Sequence, residues 1–487
     1  MEKKSSLLLS YIKQGVKIFL AIFIFFFLLK LIFNVSVTNV VFFFGEKLDT
    51  DAYNHTNILL MGIGGGTHDG ADLTDTMLIA SIDQESKITS LFSLPRDVFV
   101  KVKDIGNNFG GEKVNAVYAY SKAYYKDSEK ALDITKNAVE EMMGIPIHYY
   151  AKIDFSGFEK MINSIGGIDV YVDTTLDDPM YPKAGTTGYE LLHVDAGWHH
   201  MDGSLALKYA RSRQTTSVFD RDKRQRQIIN AIKDKVLNKK ESFDESKIEN
   251  IFLSLKNNIE TNLATREIIT LVKIASEMGN AQVIKSYEFS DDPSLCGGWL
   301  VPGDKELFGG AYVLIPAGNK YTHMQKTVDF VLNNAKLTHK DYRIQILNGT
   351  IYPAATKLKS LFDRYCLNVV RFGNAKTNTV KKTTYYIKDT VDKDFVNLLQ
   401  ELIPGKTSNA IPIEYTEPPF QSNADILIEI GTDYFENPIK DPYDEYAALL
   451  YQREQEEKAK QQAALQNETA TKPATTGKTP APKPVKK

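Results

Sequence analysis

Residues Asn57–Asp97 read NILLMGIGGGTHDGADLTDTMLIASIDQESKITSLFSLPRD, and this run predicts how the first domain is built. Three short apolar runs, Asn57–Ile63, Thr76–Ile82 and Lys87–Leu94, are typical of buried strands. The polar tetrad Asp83–Ser86 joins the last two runs, and so short a connection predicts an antiparallel hairpin. We therefore expect three neighbouring strands in one sheet.

Beyond this run, helical and strand-like patterns alternate. The sequence predicts helices at Ser128–Met143, Asp222–Leu237 and Ile251–Met278, and strands at Gly166–Val172 and Ala311–Ile315. Helices interleaved with apolar strands indicate an α/β protein, with a mixed central sheet flanked by helices.

A polar stretch at Asn333–Lys340 marks a predicted boundary, after which a smaller α/β domain opens with the strand YRIQILNGT and closes with ADILIEIGTDY. From Gln466 the chain is rich in Thr, Pro, Lys and Ala and has too few apolar residues to offset its chain entropy, which predicts disorder. The predicted divisions are 1–45 for a cytoplasmic stub, membrane anchor and connector, 50–336 for the first domain, 340–436 for the second, and 437–487 for a charged, partly helical and then disordered tail.

The N-terminal apolar segment predicts where the protein resides. Ile18–Val35 contains one charged residue, Lys30, and nearly reaches the roughly 20 residues of a membrane-spanning helix. Lysines precede the segment, so the positive-inside rule places the N-terminus in the cytoplasm and the rest of the chain outside. No small-residue cleavage site follows, which favours an uncleaved single-pass anchor in the cell membrane. The alternative is a buried core helix.

Composition limits the partners and the redox chemistry. The formal net charge of the 487 residues is -2, so any anion site must arise from local clustering of cations. Cys296 and Cys366 are the only cysteines, which excludes a zinc array and any disulfide framework beyond one bridge. They lie far apart in sequence, and we expect both to be free.

One candidate constellation lies at the edge of the predicted hairpin. Asp75 directly precedes the second strand, and Arg96 and Asp97 directly follow the third, so antiparallel pairing brings them together. The glycine-rich loop after the first strand would cover the same edge, where glycine lets backbone approach a ligand closely. An ion pair that merely closes the hairpin is the alternative.

A second constellation is a run of five arginines between Lys208 and Arg226, among which lie only two acids, Asp220 and Asp222. The apolar stripe of the following helix extends backwards to arginine positions, and a core-facing arginine must be paired or line a cavity. Guanidinium groups match phosphate oxygens with two parallel hydrogen bonds. A surface helix cap with ion pairs is the alternative, and the predicted extracytoplasmic location argues against nucleic acid. The five are Arg211, Arg213, Arg221, Arg224 and Arg226.

An arginine clamp beside a carboxylate that can hold a divalent cation is what phosphoryl transfer requires. Mg²⁺ prefers oxygen ligands and keeps several waters, so one or two carboxylates suffice. The adjacent His199 and His200 have no partner spacing that indicates a metal site, and we expect them to be surface or packing residues.

Several stretches, in this order, resemble the LytR–CpsA–Psr family, and residues 342–434, with ILNGT and ADILIEIGTDY, look like the LytR-type C-terminal domain that often follows. The resemblance implies a mixed sheet flanked by helices, an apolar groove for a lipid tail, and transfer of a glycan 1-phosphate from a polyprenyl-pyrophosphate carrier to peptidoglycan or another wall polymer. The matching stretches are NILLMGIG, LTDTMLIASI, SLPRDVFVKV, KVNAVYAY, IDFSGFEKMINSIGGIDVYVD, VDAGWHHMDGSLALKYARSR and DRDKRQRQII.

The resemblance also implies roles for individual residues. Asp75 corresponds to one of two aspartates associated with Mg²⁺ or Mn²⁺, and Gly64 stands where the other is usual, which leaves Asp69 and Asp72 as candidate replacements. An arginine common before the second aspartate is Leu73 here. The positions that match pyrophosphate-binding residues are Arg96, Arg211, Arg213, Arg221, Arg224 and Gln225.

The predicted enzyme is thus a membrane-anchored phosphotransferase whose partners are the lipid-linked glycan, a peptidoglycan acceptor and the membrane, and not nucleic acid. Asp97 and Asp220 are the candidate acceptors of the proton from the attacking hydroxyl, with Asp220 nearest to the place of a family aspartate that is Val218 here. Two alternatives remain open: a polyprenyl-pyrophosphate pyrophosphatase, and a non-catalytic wall-binding or regulatory protein.

Overall fold

The computed structural model describes most of the chain from residue 47 onward. The ranges outside the description are 1–46, 67–69, 103–110, 184–187, most of 213–257, parts of 265–283, 410, 418–421, and all but a few positions after 444.

Strands and helices alternate along the described chain. The strands are β1 His55–Ile63, β2 Thr74–Asp83, β3 Thr89–Ser93, β4 Phe99–Val100, β5 Glu112–Lys113, β6 Tyr149–Asp154, β7 Ile168–Val172, β8 Leu176–Pro182, β9 Tyr189–Val194, β10 Gly197–Met201, β11 Ile259–Thr261, β12 Ile284–Glu288, β13 Leu300–Pro302, β14 Leu314–Pro316, β15 Ile344–Asn348, β16 Val369–Asn374, β17 Thr384–Ile387, β18 Lys406–Ser408 and β19 Ile426–Ile430. The α-helices are Val114–Tyr125, Ser128–Met143, Phe155–Ser164, Gly203–Arg211, Thr322–Asn333, Ala335–Thr338, Ala355–Arg364 and Lys393–Leu402, and short 3₁₀ helices lie at Ala317–Asn319, Ile413–Tyr415 and Thr432–Glu436.

The central sheet has the order β11-β6-β1-β2-β3-β12 and mixes parallel with antiparallel pairs. The predicted hairpin is confirmed, because β2 and β3 are antiparallel with Leu78 opposite Ser93. β1 runs antiparallel to β2 and parallel to β6. Nearly every residue of β1 is buried, which explains its continuous apolar run.

The predicted helix Ser128–Met143 has the bounds that the sequence indicated. The Asp127 carboxylate accepts a hydrogen bond from the Lys130 N–H at its start, and Gly144 ends it in the left-handed conformation. Its buried stripe includes Leu132 and Val139, so one face packs into the protein.

Two small antiparallel sheets, β7–β10 and β8–β9, are formed by the chain between β6 and β11 of the central sheet. Their buried side chains belong to one hydrophobic core cluster. Their inward side chains, such as Val170 and Met201, pack with helices Phe155–Ser164 and Gly203–Arg211. This packing fixes the helix that ends at Arg211.

A second sheet, in the order β16-β15-β19-β17-β18, forms the smaller α/β region. β15 is parallel to both β16 and β19, as expected for a strand buried on both faces. The Asn348 side chain accepts from the N–H groups of Ala354 and Ala355 and so caps the following helix. The predicted domain boundary near Asn333–Lys340 stays a prediction.

Part of the predicted helix Ile251–Met278 is wrong. Ile259–Thr261 forms β11, which pairs antiparallel with β6. The exposed edge of β6 supplies backbone hydrogen-bond partners, and such a non-local ladder overrides local helix propensity. The described positions 267, 270, 271 and 274 are helical.

The expectation of two free cysteines is also wrong. Cys296 and Cys366 form a disulfide, with their Cα atoms 4.4 Å apart across a sequence separation of 70 residues. The bond joins the segment before β13 to the segment after helix Ala355–Arg364. A disulfide agrees with the oxidising space outside the membrane that the N-terminus predicts.

The predicted anchor Ile18–Val35 lies outside the described residues. Within the described part of the chain, no helix is long and apolar enough to cross a membrane. The chain divides into the units Met1–Pro438 and Ile439–Lys487, and the described positions of the second unit between 442 and 458 are mostly helical.

Candidate active site

The hairpin register brings one predicted pair together at one end of the inner strands β2 and β3. Arg96 follows β3 and donates a hydrogen bond from Nη1 to Oδ1 of Asp75, near the start of β2, at 2.7 Å. Arg96 Nε also lies 3.5 Å from Oδ2 of Asp97. One guanidinium thus bridges two carboxylates, as antiparallel pairing predicted.

The environment keeps this guanidinium charged. Burial opposes the charge on Arg96, but hydrogen bonding and attraction from Asp75 and Asp97 raise its pKa above its ordinary value. The side chains of Arg96 and Asp75 remain 27% and 39% exposed, so a ligand can reach both.

Lys113 is a cation of this site that sequence reasoning missed. Its Nζ donates to Oδ1 of Asp97 at 2.8 Å. Lys113 ends the short strand β5, which pairs with β4. The stretch KVNAVYAY contributed to the family resemblance, but nothing in its spacing connected Lys113 with Asp97.

Arg211 reaches the same place from the other side. It ends helix Gly203–Arg211, and its guanidinium lies 4.3 Å from the ring centre of Phe155 and donates a long hydrogen bond of 3.5 Å to the Tyr181 hydroxyl. Burial raises the pKa of Tyr181, so the hydroxyl stays protonated. Contacts with a ring and a hydroxyl orient Arg211 without neutralising it.

These segments line one open cleft of about 450 Å³. The cleft therefore combines three cations with three carboxylates and with backbone of the glycine-rich loop. Its lining residues are Gly64, Gly70, Leu73, Asp75, Arg96, Asp97, Glu112, Lys113, Asn115, Ala116, Tyr120, Phe155 and Arg211.

Arg224 is 8% exposed, and its guanidinium donates hydrogen bonds to backbone carbonyl groups. Its Nε donates to the Tyr209 carbonyl at 3.0 Å and its Nη2 to the Ser212 carbonyl at 2.5 Å. These carbonyls belong to the end of the helix that carries Arg211, where a cation is favourable. In this structure Arg224 supports Arg211, and its binding of pyrophosphate stays a prediction, as do the roles of the undescribed Asp220, Arg213, Arg221 and Gln225.

The candidate metal ligands are only partly gathered. Asp75 lines the cleft, whereas Asp72 accepts two hydrogen bonds from Lys122 Nζ, at 2.8 and 3.0 Å, and lies outside the lining. Asp69 falls outside the described residues, and Gly64 lines the cleft where the resemblance expects a second aspartate.

Over the part of the chain that is described, no three His, Cys, Asp or Glu side chains form a metal-binding group. A single carboxylate fits a magnesium ion whose remaining ligands are phosphate oxygens and water. Asp75, the candidate ligand that lines the cleft, would hold such an ion, and Asp97 and Glu112 are the other carboxylates of the lining.

The fold is thus a mixed α/β sheet with an open cleft beside one end of β2 and β3, lined by both cations and carboxylates. Residues 37–328 match the LytR_cpsA_psr family, so the chain belongs to this family. The family assignment confirms the resemblance drawn from the sequence.

Curated relatives are similar over part of their length. The polyisoprenyl-teichoic acid–peptidoglycan teichoic acid transferase TagV of Bacillus subtilis is 29% identical over 298 residues, covering 60% of this chain and 67% of TagV. TagT of the same organism, which has the same transferase description, is 26% identical over 49% of this chain and 69% of TagT. Biofilm regulatory protein A of Streptococcus mutans is 27% identical over 52% of this chain and 61% of its own.

Solved structures are similar over a comparable share. The crystal structure of B. subtilis TagV is 27% identical and covers 58% of this chain and 99% of that one, with a TM-score of 0.43. A structure of TagT bound to LI-WTA is 22% identical over 59% of this chain and 95% of that one, with a TM-score of 0.42.

Proposed function

We propose that the protein is a phosphotransferase that moves a glycan 1-phosphate from a polyprenyl-pyrophosphate carrier to peptidoglycan or another wall polymer. The observation that carries the proposal is the convergence of Arg96 and Arg211, from distant segments, on one cleft that also contains Asp75. Family membership and the transferase names of TagV and TagT support the same chemistry.

The cleft residues suit the charge of a pyrophosphate. Arg96, Arg211 and Lys113 would present their positive charges to its oxygens. Asp75, Asp97 and Glu112 line the same cleft and offset these charges, so binding of the pyrophosphate would also draw on a metal ion. A bound Mg²⁺ or Mn²⁺ would neutralise further phosphate charge, with Asp75 as its protein ligand. Fixed cations stabilise the charge that spreads over the phosphoryl oxygens in the transition state.

In the proposed reaction, a hydroxyl oxygen of the acceptor attacks the phosphorus next to the glycan. A new P–O bond forms as the bond to the bridging oxygen breaks, and polyprenyl phosphate leaves with the electron pair. The hydroxyl proton passes to a carboxylate, for which Asp97 and Asp220 are the candidates. Of these two, Asp97 lies within the described residues, lines the cleft and has a side chain that is 25% exposed, which supports its role as the proton acceptor.

The test uses the purified full chain, a polyprenyl-pyrophosphate-linked glycan, Mg²⁺ and peptidoglycan. Arg211→Ala is expected to lower glycan transfer by about 10²- to 10³-fold, because the transition state loses one preorganised cation. Arg343→Ala is the matched control, since Arg343 and Asp425 directly precede β15 and β19 and pair at 2.9 Å, outside the cleft lining. Unchanged turnover and lipid binding in Arg211→Ala would refute the assignment.

The same assay separates the alternatives. A pyrophosphatase releases glycan phosphate to water at the same rate with or without acceptor, whereas the proposed enzyme requires acceptor for a phosphate-linked product. A regulatory protein binds the lipid-linked glycan and forms no product.

A further inference from the structure

The outer face of the two-stranded sheet β7–β10 exposes an aromatic pair. Trp198 is 73% exposed and Tyr171 is 48% exposed. The two residues are directly opposite in the register, and their rings meet edge to face with centroids 5.5 Å apart. Val170 and Val172, which alternate with Tyr171, point into the core, so the pleat itself holds both rings outward.

Polar groups adjoin this pair on the same face. His200 and Asp169 form the next cross-strand pair, with His200 Nδ1 2.7 Å from Asp169 Oδ1, and both side chains are more than half exposed. Asp195 lies just before β10, and its side chain is 74% exposed. The face thus combines flat apolar rings with hydrogen-bonding groups around them.

The charge of the region favours an uncharged ligand. Strands β7, β8, β9 and β10 contain no Lys or Arg, and they carry two exposed acids, Asp169 and Asp177. Asp178 is buried, and Glu190 pairs with Lys208. Such a surface repels anionic lipid headgroups and a phosphate-rich polymer. A sugar ring instead presents an apolar C–H face to an aromatic ring and hydroxyl groups to carboxylates and imidazoles.

Hydrogen bonds and one helix connect this face with the cleft. Gln227 donates from Nε2 to the carbonyl of Tyr171 and to Asp173, and accepts from the Tyr209 hydroxyl. Helix Gly203–Arg211 starts shortly after β10 and ends at Arg211 in the cleft, a rise of about 14 Å along its axis. One helix therefore connects the strand that carries Trp198 with a residue that lines the cleft.

We propose that Trp198 and Tyr171 form a docking surface for the acceptor, a glycan strand of uncharged sugar rings. This inference rests on the proposed transfer to a wall polymer and adds where the acceptor is held. The surface acts on acceptor affinity, and the donor is bound by the arginines of the cleft.

The first experiment measures transfer kinetics of the full chain with soluble linear peptidoglycan strands. Trp198→Ala is expected to raise the KM for the strands by roughly tenfold, with kcat and the affinity for the lipid-linked donor unchanged. Trp198→Phe keeps a ring and should recover most of the affinity. Ile351→Ala removes a side chain that is 72% exposed on the second α/β region and should change nothing.

Direct binding of the strands separates this inference from the proposed function. Arg211→Ala should lose donor binding and retain strand binding, whereas Trp198→Ala should do the reverse. Equal strand binding and equal KM in Trp198→Ala and the wild type would overturn the docking surface, even if Arg211→Ala abolishes transfer. Normal transfer by Arg211→Ala would overturn the proposed function. The binding of peptidoglycan strands by Trp198→Ala would still test the docking surface in that case.

Fluorescence tests a membrane-facing role for the same residues. The chain has two tryptophans, and Trp299 is 1% exposed, so quenching by solutes reports mainly on Trp198. With the full chain in lipid nanodiscs, peptidoglycan strands should protect Trp198 from acrylamide, and brominated lipids should leave its emission unchanged. If brominated lipids quench Trp198 and peptidoglycan strands do not protect it from acrylamide, the proposal is overturned, and the aromatic pair contacts the membrane instead.

Discussion

Arg96→Lys is expected to lower kcat/KM for glycan transfer by about 10- to 100-fold. Arg96 contacts Asp75 through Nη1 and lies near Asp97 through Nε, so its planar fork spans two carboxylates. The single ammonium of a lysine retains the charge but cannot make both contacts. In the transition state the lysine also loses one charge-assisted hydrogen bond to a phosphate oxygen, which costs about 1.5–3 kcal/mol, and each 1.4 kcal/mol is a factor of ten.

Loss of stability cannot produce this effect. The Arg96 and Asp75 side chains are 27% and 39% exposed, and an ion pair so accessible to water contributes about 0–1 kcal/mol. We expect the melting temperature of Arg96→Lys to change by no more than about 4 °C. The decrease in kcat/KM thus reports on the cleft.

The assay follows the transfer of a labelled glycan phosphate to peptidoglycan by the full chain, beside a thermal melt of each variant. Arg343→Lys is the matched control, since it alters an Arg–Asp pair outside the cleft. Wild-type kcat/KM in Arg96→Lys would refute the bridging role of the guanidinium. A large fall in melting temperature would refute the assumption that the pair is marginal for stability.

Three further predictions concern the disulfide, acid stability and the metal. Replacing Cys296 and Cys366 with serine should lower the free energy of unfolding by ~4 kcal/mol, because the disulfide closes a loop of 70 residues. In denaturant unfolding, a reductant should destabilise the wild type but not this variant. Burial opposes ionisation of Asp51, but hydrogen bonds with His55 and Asn57 lower the pKa of its carboxyl group from 3.8 to about 2. The ionised carboxylate therefore stabilises the folded protein by at most about 2 kcal/mol. This stabilisation is present above pH 4 and is lost as the pH falls to 2. Acid titration of unfolding should therefore show this loss in the wild type and not in Asp51→Asn. Gly64→Asp should tighten Mg²⁺ binding measured by calorimetry, because Gly64 lines the cleft and the new carboxylate adds an oxygen ligand. Gly64→Asn is the uncharged control. Equal Mg²⁺ affinity of the two variants would refute a metal site there.

Local chemistry along the chain determined much of the fold. The apolar runs of β1, β2 and β3 and the polar tetrad between the last two predicted the hairpin, because strand period and turn length are read from neighbouring residues. The position of Asp75 before one strand and of Arg96 after the next then implied their contact. The helix Ser128–Met143 followed from its apolar stripe in the same way.

Only the tertiary structure decided the contacts between segments that are distant in sequence. No pattern connects Cys296 with Cys366, Lys113 with Asp97, or Arg211 with Tyr181. Residues 259–261 became an edge strand because β6 offered unpaired backbone groups, which outweighed local helix propensity. Sequence reasoning named Arg96 and Arg211, which line the cleft, but missed Lys113. Packing also determined that Arg224 donates to backbone carbonyl groups at the end of the helix that carries Arg211.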